Sequence, residues 1–178
     1  MEIYLVRHTE TICEKGICYG QSDVNLAEPF EPVFENILLQ LPSEAIIFSS
    51  PLKRCVTLAK YIENNVKTIF YEEDKRLMEM NFGDWEMKNW DTIPHEQLNP
   101  WMEDFVNVKV LNGESFVELH ERVNEFLLEQ RSKKIKSPMI IVAHAGIIRS
   151  FLCHHSALPL KDAFQNKVAF GEVIKIDF

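Results

Sequence analysis

The chain has 178 residues, of which 46% are hydrophobic and 26% are charged, as in an ordinary globular domain. Its formal net charge of −8 argues against a nucleic-acid binder, which usually carries a basic patch. No apolar segment approaches the roughly 20 residues of a membrane-spanning helix, and no basic leader precedes the first apolar run. We therefore predict one cytoplasmic domain over residues 1–178 with no nucleic-acid or membrane partner, and the oligomeric state stays open.

The first predicted element is a buried strand that ends in a charged pair. The run Ile3-Tyr4-Leu5-Val6 is apolar throughout, as is typical of a parallel strand covered on both faces. Arg7 and His8 follow it directly, and in open α/β sheets ligands bind beyond the carboxyl ends of the strands. A polar loop over residues 9–25 comes next, and loops of that length in compact domains are often functional.

Helices and strands then alternate as far as residue 71. The first helix is expected to bury Val33, Ile37 and Leu41, and the second to begin after Ser50-Pro51, where a serine cap and a first-turn proline are favourable. The predicted elements are a helix over 29–41, a strand over 45–48, a helix carrying the apolar stripe Leu52, Cys55, Val56, Ala59 and Ile62, and a strand over 66–71.

The middle of the chain is less regular. Residues 74–90 have no clean period and are predicted to form an ordered loop with aromatic anchors. Residues 92–108 are weakly helical and contain Pro94 and Pro100, which leaves their structure open. Ser115 and Glu118 have the spacing of a capping box, which predicts that a long amphipathic helix begins there.

A second buried strand ends in a histidine. The apolar run over residues 139–143 leads directly to His144, and a helix is predicted over 147–157, followed by short strands over 167–170 and 173–178. Strands that alternate with helices imply an α/β fold: a mainly parallel central sheet with helices on both faces.

The residue types at these strand ends point to phosphate chemistry. A neutral imidazole such as His8 can act as a nucleophile, and the guanidinium of Arg7 offers forked donors that match phosphate oxygens. For one histidine alone, a strand-capping role is the more common explanation. The other residues favour a catalytic role for His8 instead. Arg54, at the start of a helix, and His144 are expected at the same edge of the sheet. Together they predict a pocket for a tetrahedral dianion, with Glu79 as the proton donor to a leaving alkoxide.

Five segments, in order along the chain, resemble the motifs of the histidine phosphatase superfamily, whose members are phosphoglycerate mutase-like in fold. The resemblance covers essentially the whole chain, and its motifs are Leu5-Val6-Arg7-His8-Thr9-Glu10-Thr11, Ser49-Ser50-Pro51-Leu52-Lys53-Arg54-Cys55, Leu77-Met78-Glu79 with Phe82-Gly83-Asp84-Trp85-Glu86, Asn112-Gly113-Glu114-Ser115, and Val142-Ala143-His144-Ala145-Gly146-Ile147-Ile148-Arg149.

The resemblance implies a role for each matching residue. His8 would become phosphohistidine, and Glu79 would be the general acid that later activates water. Arg7, Arg54 and His144 would hold the phosphoryl group and stabilise the charge on its oxygens. The family works on small phosphorylated metabolites without a cofactor or a metal ion, so none is expected here.

Two positions depart from the family pattern. Thr9 stands where the family usually has glycine, and Glu14 stands where many members have an asparagine that contacts phosphate. The loop over residues 16–24 is similar to that of α-ribazole phosphatases, which act in assembly of the cobalamin nucleotide loop. That similarity implies α-ribazole 5′-phosphate as the substrate, with Thr9, Glu14 and Tyr19 as candidate specificity residues.

Two alternative functions, and the role of three aromatic residues, remain open from the sequence. A phosphoglycerate mutase-type transferase is one, although its relatives carry longer insertions. A non-catalytic phosphate- or partner-binding module is another, although a pure binder needs neither nucleophile nor acid. The aromatic residues Tyr19, Trp85 and Trp90 either face a flat base of the substrate or anchor loops, and for the two tryptophans we favour anchoring.

Overall fold

A computed structural model describes all residues, 1–178, and contains seven strands and five α-helices. The strands are β1 (Glu2–Arg7), β2 (Ile17–Cys18), β3 (Glu44–Ser49), β4 (Lys67–Glu73), β5 (Lys88–Asn89), β6 (Met139–Ala143) and β7 (Val173–Asp177). The helices are α1 (Glu31–Leu38), α2 (Lys53–Asn65), α3 (His95–Glu103), α4 (Phe116–Ser132) and α5 (Ala145–Ser156).

The central sheet has five strands in the order β4-β3-β6-β1-β7. All neighbours are parallel except β7, which runs antiparallel to β1 at one edge. The sheet is therefore mainly parallel, as predicted. β2 and β5 form a separate two-stranded ribbon that joins the loop after His8 to the loop after Glu79.

Alternate residues of the central strands feed two cores, because successive side chains of a strand point to opposite faces. Tyr4 and Val6 of β1 pack with α1 and α2 in a cluster of 13 buried residues. Ile3 and Leu5 pack with α4 and α5 in a cluster of 24. Helices thus cover both faces, which explains why β1 and β6 are apolar without alternation.

Several predicted helix boundaries are wrong by a few residues. α1 begins at Glu31 and ends at Leu38, and Phe34 rather than the exposed Val33 packs with Ile37 in the core. α2 begins at Lys53 and is not capped by Ser50. Its first backbone N–H instead donates to the carboxylate of Asp23 (2.8 Å), a residue distant in sequence that no local pattern identifies.

The remaining differences lie in the second half of the chain. The capping box at Ser115 and Glu118 is confirmed. α3 continues through Pro100, so the proline does not break it. α5 begins at Ala145, two residues before the predicted start, with His144 as its N-cap. No strand forms over residues 167–170.

Residues 169–172 form a turn in place of that predicted strand. The N–H of Gly171 donates to the carbonyl of His8 (3.2 Å), and that of Ala169 to the carboxylate of Glu172 (2.5 Å). This places Phe170 against the side chains of Arg7 and His8. None of the helices has the length and apolar character that crossing a bilayer requires.

Candidate active site

The register of the sheet brings the two strand-end histidines together. Arg7 of β1 is paired with Ala143 of β6, and the N–H of His8 donates to the carbonyl of Ala143 (3.2 Å). The next residues along the two strands, His8 and His144, therefore lie side by side. Their ring centroids are 5.2 Å apart in an edge-on arrangement.

His8 is held as a neutral imidazole with one free nitrogen. Its Nδ1 lies 2.7 Å from the carbonyl oxygen of Thr9. A carbonyl only accepts hydrogen bonds, so Nδ1 carries the proton and Nε2 keeps its lone pair. Burial, together with the nearby charge of Arg54, lowers the pKa of His8 to about 3. The ring is thus in the nucleophilic form at neutral pH.

Two guanidinium groups beside His8 have no carboxylate partner. Arg54 is fully buried and Arg7 is mostly buried, yet neither makes an ion pair. Arg54 uses three of its five N–H groups on His144 and on the carbonyls of Gly20 and Ser22. Buried charges are normally paired, so two unpaired cations in a chain of net charge −8 mark a site for an anion.

His144 joins Arg54 to the end of β3. Its Nδ1 accepts from Arg54 Nε (3.3 Å), so the proton is on Nε2, which donates to the hydroxyl of Ser50 (2.8 Å). Burial and the charge of Arg54 keep the pKa of His144 well below its ordinary value. For His144 to contact a phosphoryl oxygen, it must exchange the Ser50 hydroxyl for that oxygen.

An open cleft of about 160 Å³ gives access to His8. Arg7, His8, Glu79 and Tyr19 line it, whereas Arg54 and His144 lie buried beneath its surface. The cleft therefore brings the predicted nucleophile, one phosphate-binding arginine and the predicted acid to a single space. Arg54 and His144 contact two of its lining residues, Tyr19 and His8 respectively.

The carboxylate of Glu79 is oriented by two backbone N–H groups. Oε1 accepts from the N–H of Met80 (3.0 Å), and Oε2 from that of Gly146 (3.2 Å) in the first turn of α5. A Cβ atom at position 146 would lie 2.3 Å from Oε1 of Glu79. Glycine is therefore needed beside His144 so that the carboxylate can approach the helix.

The backbone of Glu79 is held by side chains distant in sequence. Its carbonyl accepts from Gln21 Nε2 (2.9 Å) and Arg122 Nη2 (3.1 Å). Arg122 also donates to the carbonyl of Arg76 (2.6 Å) and forms a largely buried ion pair with Glu114 (2.6 Å). Glu114 belongs to the motif Asn112-Gly113-Glu114-Ser115, so this motif supports the segment that carries Glu79.

Glu86 joins the two loops that line the cleft. One of its oxygens accepts from the N–H of Gln21 (2.8 Å) and of Phe82 (3.1 Å), and the other from the hydroxyl of Ser22 (2.5 Å). Gly20 has φ +38°, and a Cβ there would lie 2.4 Å from Glu86. This contact explains why a glycine follows Tyr19.

The three candidate specificity residues do not share a single cavity. Tyr19 lines the cleft, and its ring centroid is 5.0 Å from the guanidinium of Arg54. Thr9 is buried beside a neighbouring cavity, and its hydroxyl has no hydrogen-bond partner. Glu14 is exposed in an adjoining groove that Tyr19 also lines. Trp85 is buried against Trp90 and Trp101, as expected of an anchor, whereas Trp90 also lines the cleft.

Sequence reasoning missed several residues of this site. Ser50 lies within a motif identified from the sequence, but only the structure shows its contact with His144. Phe170 stacks on Arg7 at 3.7 Å, and it lies in a segment that the sequence predicts as a strand but that forms none. Gln21 and Arg122 carry no local signal, because their contacts join segments 58 and 43 residues apart.

Comparison with known proteins identifies the family. The sequence profile of the histidine phosphatase superfamily (branch 1) matches residues 3–178. Phosphoserine phosphatase 1 of Hydrogenobacter thermophilus is 28% identical over 159 residues, which cover 86% of this chain and 75% of that protein. The adenosylcobalamin/α-ribazole phosphatase of Salmonella typhimurium is 25% identical over 178 residues, covering 96% of this chain and 87% of that one.

Solved structures show the same fold. The α-ribazole phosphatase of Shigella flexneri superposes with a TM-score of 0.86, at 22% sequence identity. The superposition covers 99% of this chain and 90% of that chain. At this level of identity the likeness is one of architecture, and it confirms the mainly parallel, phosphoglycerate mutase-like fold.

Proposed function

Since the chain belongs to the histidine phosphatase superfamily, we propose that it is a metal-independent phosphomonoesterase that works through a phosphohistidine on His8. The observation that carries this proposal is a neutral His8 with a free Nε2 beside two guanidinium groups that have no counter-ion. A binding module for phosphate has no need of a nucleophile held in this state.

In the first step, Nε2 of His8 attacks phosphorus, and the bond from phosphorus to the ester oxygen breaks. Arg7 and Arg54 stabilise the negative charge on the equatorial oxygens, which is the main demand of phosphoryl transfer. His144 supports Arg54 and adds a donor once it releases Ser50. The positive charge of the two arginines supplies the stabilisation that a metal ion provides in other phosphatases.

Glu79 completes both half-reactions. As a carboxylic acid it protonates the leaving oxygen, and as a carboxylate it then removes a proton from the water that attacks the phosphohistidine. Inorganic phosphate leaves and His8 returns to its neutral form. The backbone donors on both carboxylate oxygens and the shared cleft with His8 support this assignment.

For the substrate we propose α-ribazole 5′-phosphate, which places the enzyme in cytoplasmic assembly of the cobalamin nucleotide loop. Two similarities support this choice: the loop over residues 16–24, and relatives named as α-ribazole phosphatases over 96% of the chain. Tyr19 and Trp90 line the cleft and offer aromatic faces for a flat base.

The test is to mix the protein with a panel of phosphate monoesters and measure both phosphate release and labelling of the protein. We expect a phosphoenzyme that is labile in acid and stable in base, and release of phosphate from α-ribazole 5′-phosphate. Isomerisation of a phosphoglycerate without phosphate release would identify a mutase instead. Tight phosphate binding with no turnover of any ester would support the non-catalytic alternative.

A further inference from the structure

Arg122 and Arg7 are held by different kinds of group. Arg122 pairs with the carboxylate of Glu114 (2.6 Å). Arg7 has no carboxylate within ion-pair distance, and its Cζ lies 3.7 Å from the ring centroid of Phe170 instead. The arginine next to His8 is therefore held by an aromatic ring rather than by an anion.

A ring and a carboxylate leave an arginine in different states. The five N–H groups of a guanidinium lie in its plane, so a carboxylate occupies two of them and offsets the positive charge. A ring stacked on the face of the guanidinium attracts the cation through its π electrons and occupies none of the donors. Phe170 therefore holds Arg7 while leaving its donors and its charge for a phosphoryl group.

The in-plane donors of Arg7 are only partly used. Nη1 donates to the carbonyl of Val168 (2.6 Å), whereas the buried Nε has no hydrogen-bond partner. A buried N–H without an acceptor costs free energy, and a phosphoryl oxygen is an acceptor that would satisfy it. Val168 and Phe170 belong to one short segment, and together they contact an edge and a face of the same guanidinium.

The backbone that carries Phe170 is bonded to the end of β1. The N–H of Gly171 donates to the carbonyl of His8 (3.2 Å), and the N–H of Arg7 donates to the carbonyl of Glu172 (3.0 Å). The ring centroids of Phe170 and His8 are 5.6 Å apart. The ring therefore has a fixed place relative to the two residues that end the strand.

Phe170 does not line the cleft that contains His8. It lines the two neighbouring cavities in which Thr9 and Glu14 lie, and 39% of its surface is exposed. A substrate in the cleft is therefore not in contact with the ring. Any effect of Phe170 on the reaction must pass through the side chains that it touches, Arg7 and His8.

We propose that Phe170 is a positioning residue for phosphoryl transfer: its ring holds the guanidinium of Arg7 in the orientation that binds the phosphoryl oxygens. The inference rests on the proposed phosphatase activity of the cleft. The gain comes from preorganisation, because an arginine that is already in place loses little side-chain freedom when phosphate binds. Without the ring, the guanidinium can turn about its side-chain bonds, and its donors face the phosphoryl group for only part of the time.

The test replaces Phe170 by leucine, which keeps an apolar side chain and removes the aromatic face. We expect kcat/KM to fall about two- to thirtyfold, the range of a cation–π contact, and equally for a sugar phosphate and an aryl phosphate. Contacts to the phosphoryl group act on every ester, whereas loss of the acid spares the aryl phosphate. Phe170→Tyr keeps the ring and should change kcat/KM less than about twofold.

A double-mutant cycle shows whether the effect passes through Arg7. In an Arg7→Met background, Phe170→Leu should change kcat/KM less than about twofold, because the guanidinium that the ring holds is gone. Full additivity of the two losses would overturn the proposal. A loss confined to the sugar phosphate would overturn it as well, since the ring would then act on the leaving group.

Phe178→Leu is the matched control, because Phe178 also lies over an arginine, Arg131, at 5.0 Å from Cζ to the ring centroid. The N–H of Phe178 donates to the carbonyl of Met1, so this pair is at the opposite end of β1 from Arg7. The control should leave the turnover of both esters unchanged. Equal losses in Phe178→Leu and Phe170→Leu would show a general loss of stability and overturn the proposal. Thermal melting of each variant shows whether it is folded.

Binding of inorganic phosphate separates this proposal from the proposed activity. Calorimetry on the unchanged protein, Phe170→Leu and Phe170→Tyr measures the Kd of phosphate with no ester to hydrolyse. A Kd that rises about two- to thirtyfold in Phe170→Leu, but not in Phe170→Tyr, supports the positioning role even if no ester is hydrolysed. An unchanged Kd in Phe170→Leu would overturn that role even if phosphate release and the phosphoenzyme are observed.

Discussion

The two sides of this cleft, the nucleophile side with the proposed nucleophile His8 and the acid side with the proposed acid Glu79, are built in different ways. His8 and His144 extend two neighbouring parallel strands, so sheet register alone places them in contact. Glu79 lies outside regular secondary structure, and side chains from two distant segments hold its backbone. The sheet thus makes the nucleophile side a direct product of the fold, whereas the acid side depends on a few polar contacts that single substitutions can remove.

The largest effect is expected on the nucleophile side, from His8→Ala. Without the imidazole no phosphohistidine forms, so turnover of every ester should fall more than about ten-thousandfold. Phosphate release and labelling of the protein measure this loss. His155→Ala changes an exposed histidine on α5 and serves as the control. Full turnover by His8→Ala would show that the nucleophile is another residue.

On the acid side, Glu79→Gln should slow only esters that need a proton on the leaving oxygen. We expect kcat/KM for a sugar phosphate to fall about 10²- to 10⁴-fold, the usual size of general acid catalysis. An aryl phosphate has a good leaving group and should lose much less. Equal losses for the two esters would remove Glu79 from the acid role.

Arg122→Met tests whether the support of Glu79 matters as much as the acid itself. The Arg122–Glu114 pair is largely buried, so loss of one partner should lower the free energy of unfolding by about 3–5 kcal/mol. Displacement of Glu79 should lower sugar phosphate turnover about tenfold to a hundredfold and spare the aryl phosphate.

Arg122→Lys keeps the positive charge but lacks the paired N–H donors of a guanidinium. It should therefore recover part of the free energy of unfolding and part of the sugar phosphate turnover. Denaturant unfolding and kinetics on the two esters measure them. A parallel loss on both esters in a folded Arg122→Met protein would mean that Arg122 does not act through Glu79.

Gly146→Ala should lower activity without destabilising α5, because Gly146 lies where that helix contacts Glu79. Alanine favours a helix over glycine by about 1 kcal/mol, so α5 itself should not be destabilised. The new Cβ would lie 2.3 Å from Glu79 Oε1, so the carboxylate must move. We expect about a tenfold loss on sugar phosphates, and no further loss when Gly146→Ala is added to Glu79→Gln. Additive losses would contradict the contact.

The last prediction concerns the pH dependence of stability rather than turnover. Burial lowers the pKa of His8 to about 3 and that of His120 to about 4, and it lowers the pKa of His144 as well. The unfolded chain binds protons below about pH 6.5 while these histidines stay neutral in the folded protein. Stability should therefore fall on acidification, by up to about 1.4 kcal/mol per pH unit for each of the buried His8 and His144 and by less for the half-buried His120.

Denaturant unfolding in phosphate-free buffer at pH 7 and pH 5 measures this dependence. His8→Asn removes one titrating group and should make the decline shallower. Identical slopes for His8→Asn and the unchanged protein would contradict a neutral His8 in the folded state.

The same contrast explains which parts of the site are predictable from the sequence. His8 and His144 follow apolar runs, and those runs define strands whose ends share one edge of the sheet. Arg54 follows the same logic, since it lies in the first turn of a helix after β3. The supports of Glu79 carry no periodic signal, because each is a single polar contact between loops or helices distant along the chain.

Local pattern also fails where a distant group replaces a local one. Asp23 accepts from the first N–H of α2, whereas the hydroxyl of Ser50 accepts from the N–H of Leu52, one residue before the helix, and from His144. The segment 167–170 has the composition of a strand, but the carbonyl of Val168 accepts from the side chain of Arg7, and the N–H of Ala169 donates to Glu172 within its own turn. In both cases a side chain distant in sequence bonds to the backbone where the local pattern predicts a different structure.

The amino-acid sequence by itself determined the alternation of strands and helices, and with it the pair of histidines at the edge of a mainly parallel sheet. Hydrophobic periodicity carries that information, because the burial of apolar faces is the main driving force of folding. Only the tertiary structure decided how Glu79 is held, where Glu14 lies, and that Phe170 stacks on Arg7. Those arrangements depend on contacts between distant segments, which leave no regular trace in the sequence.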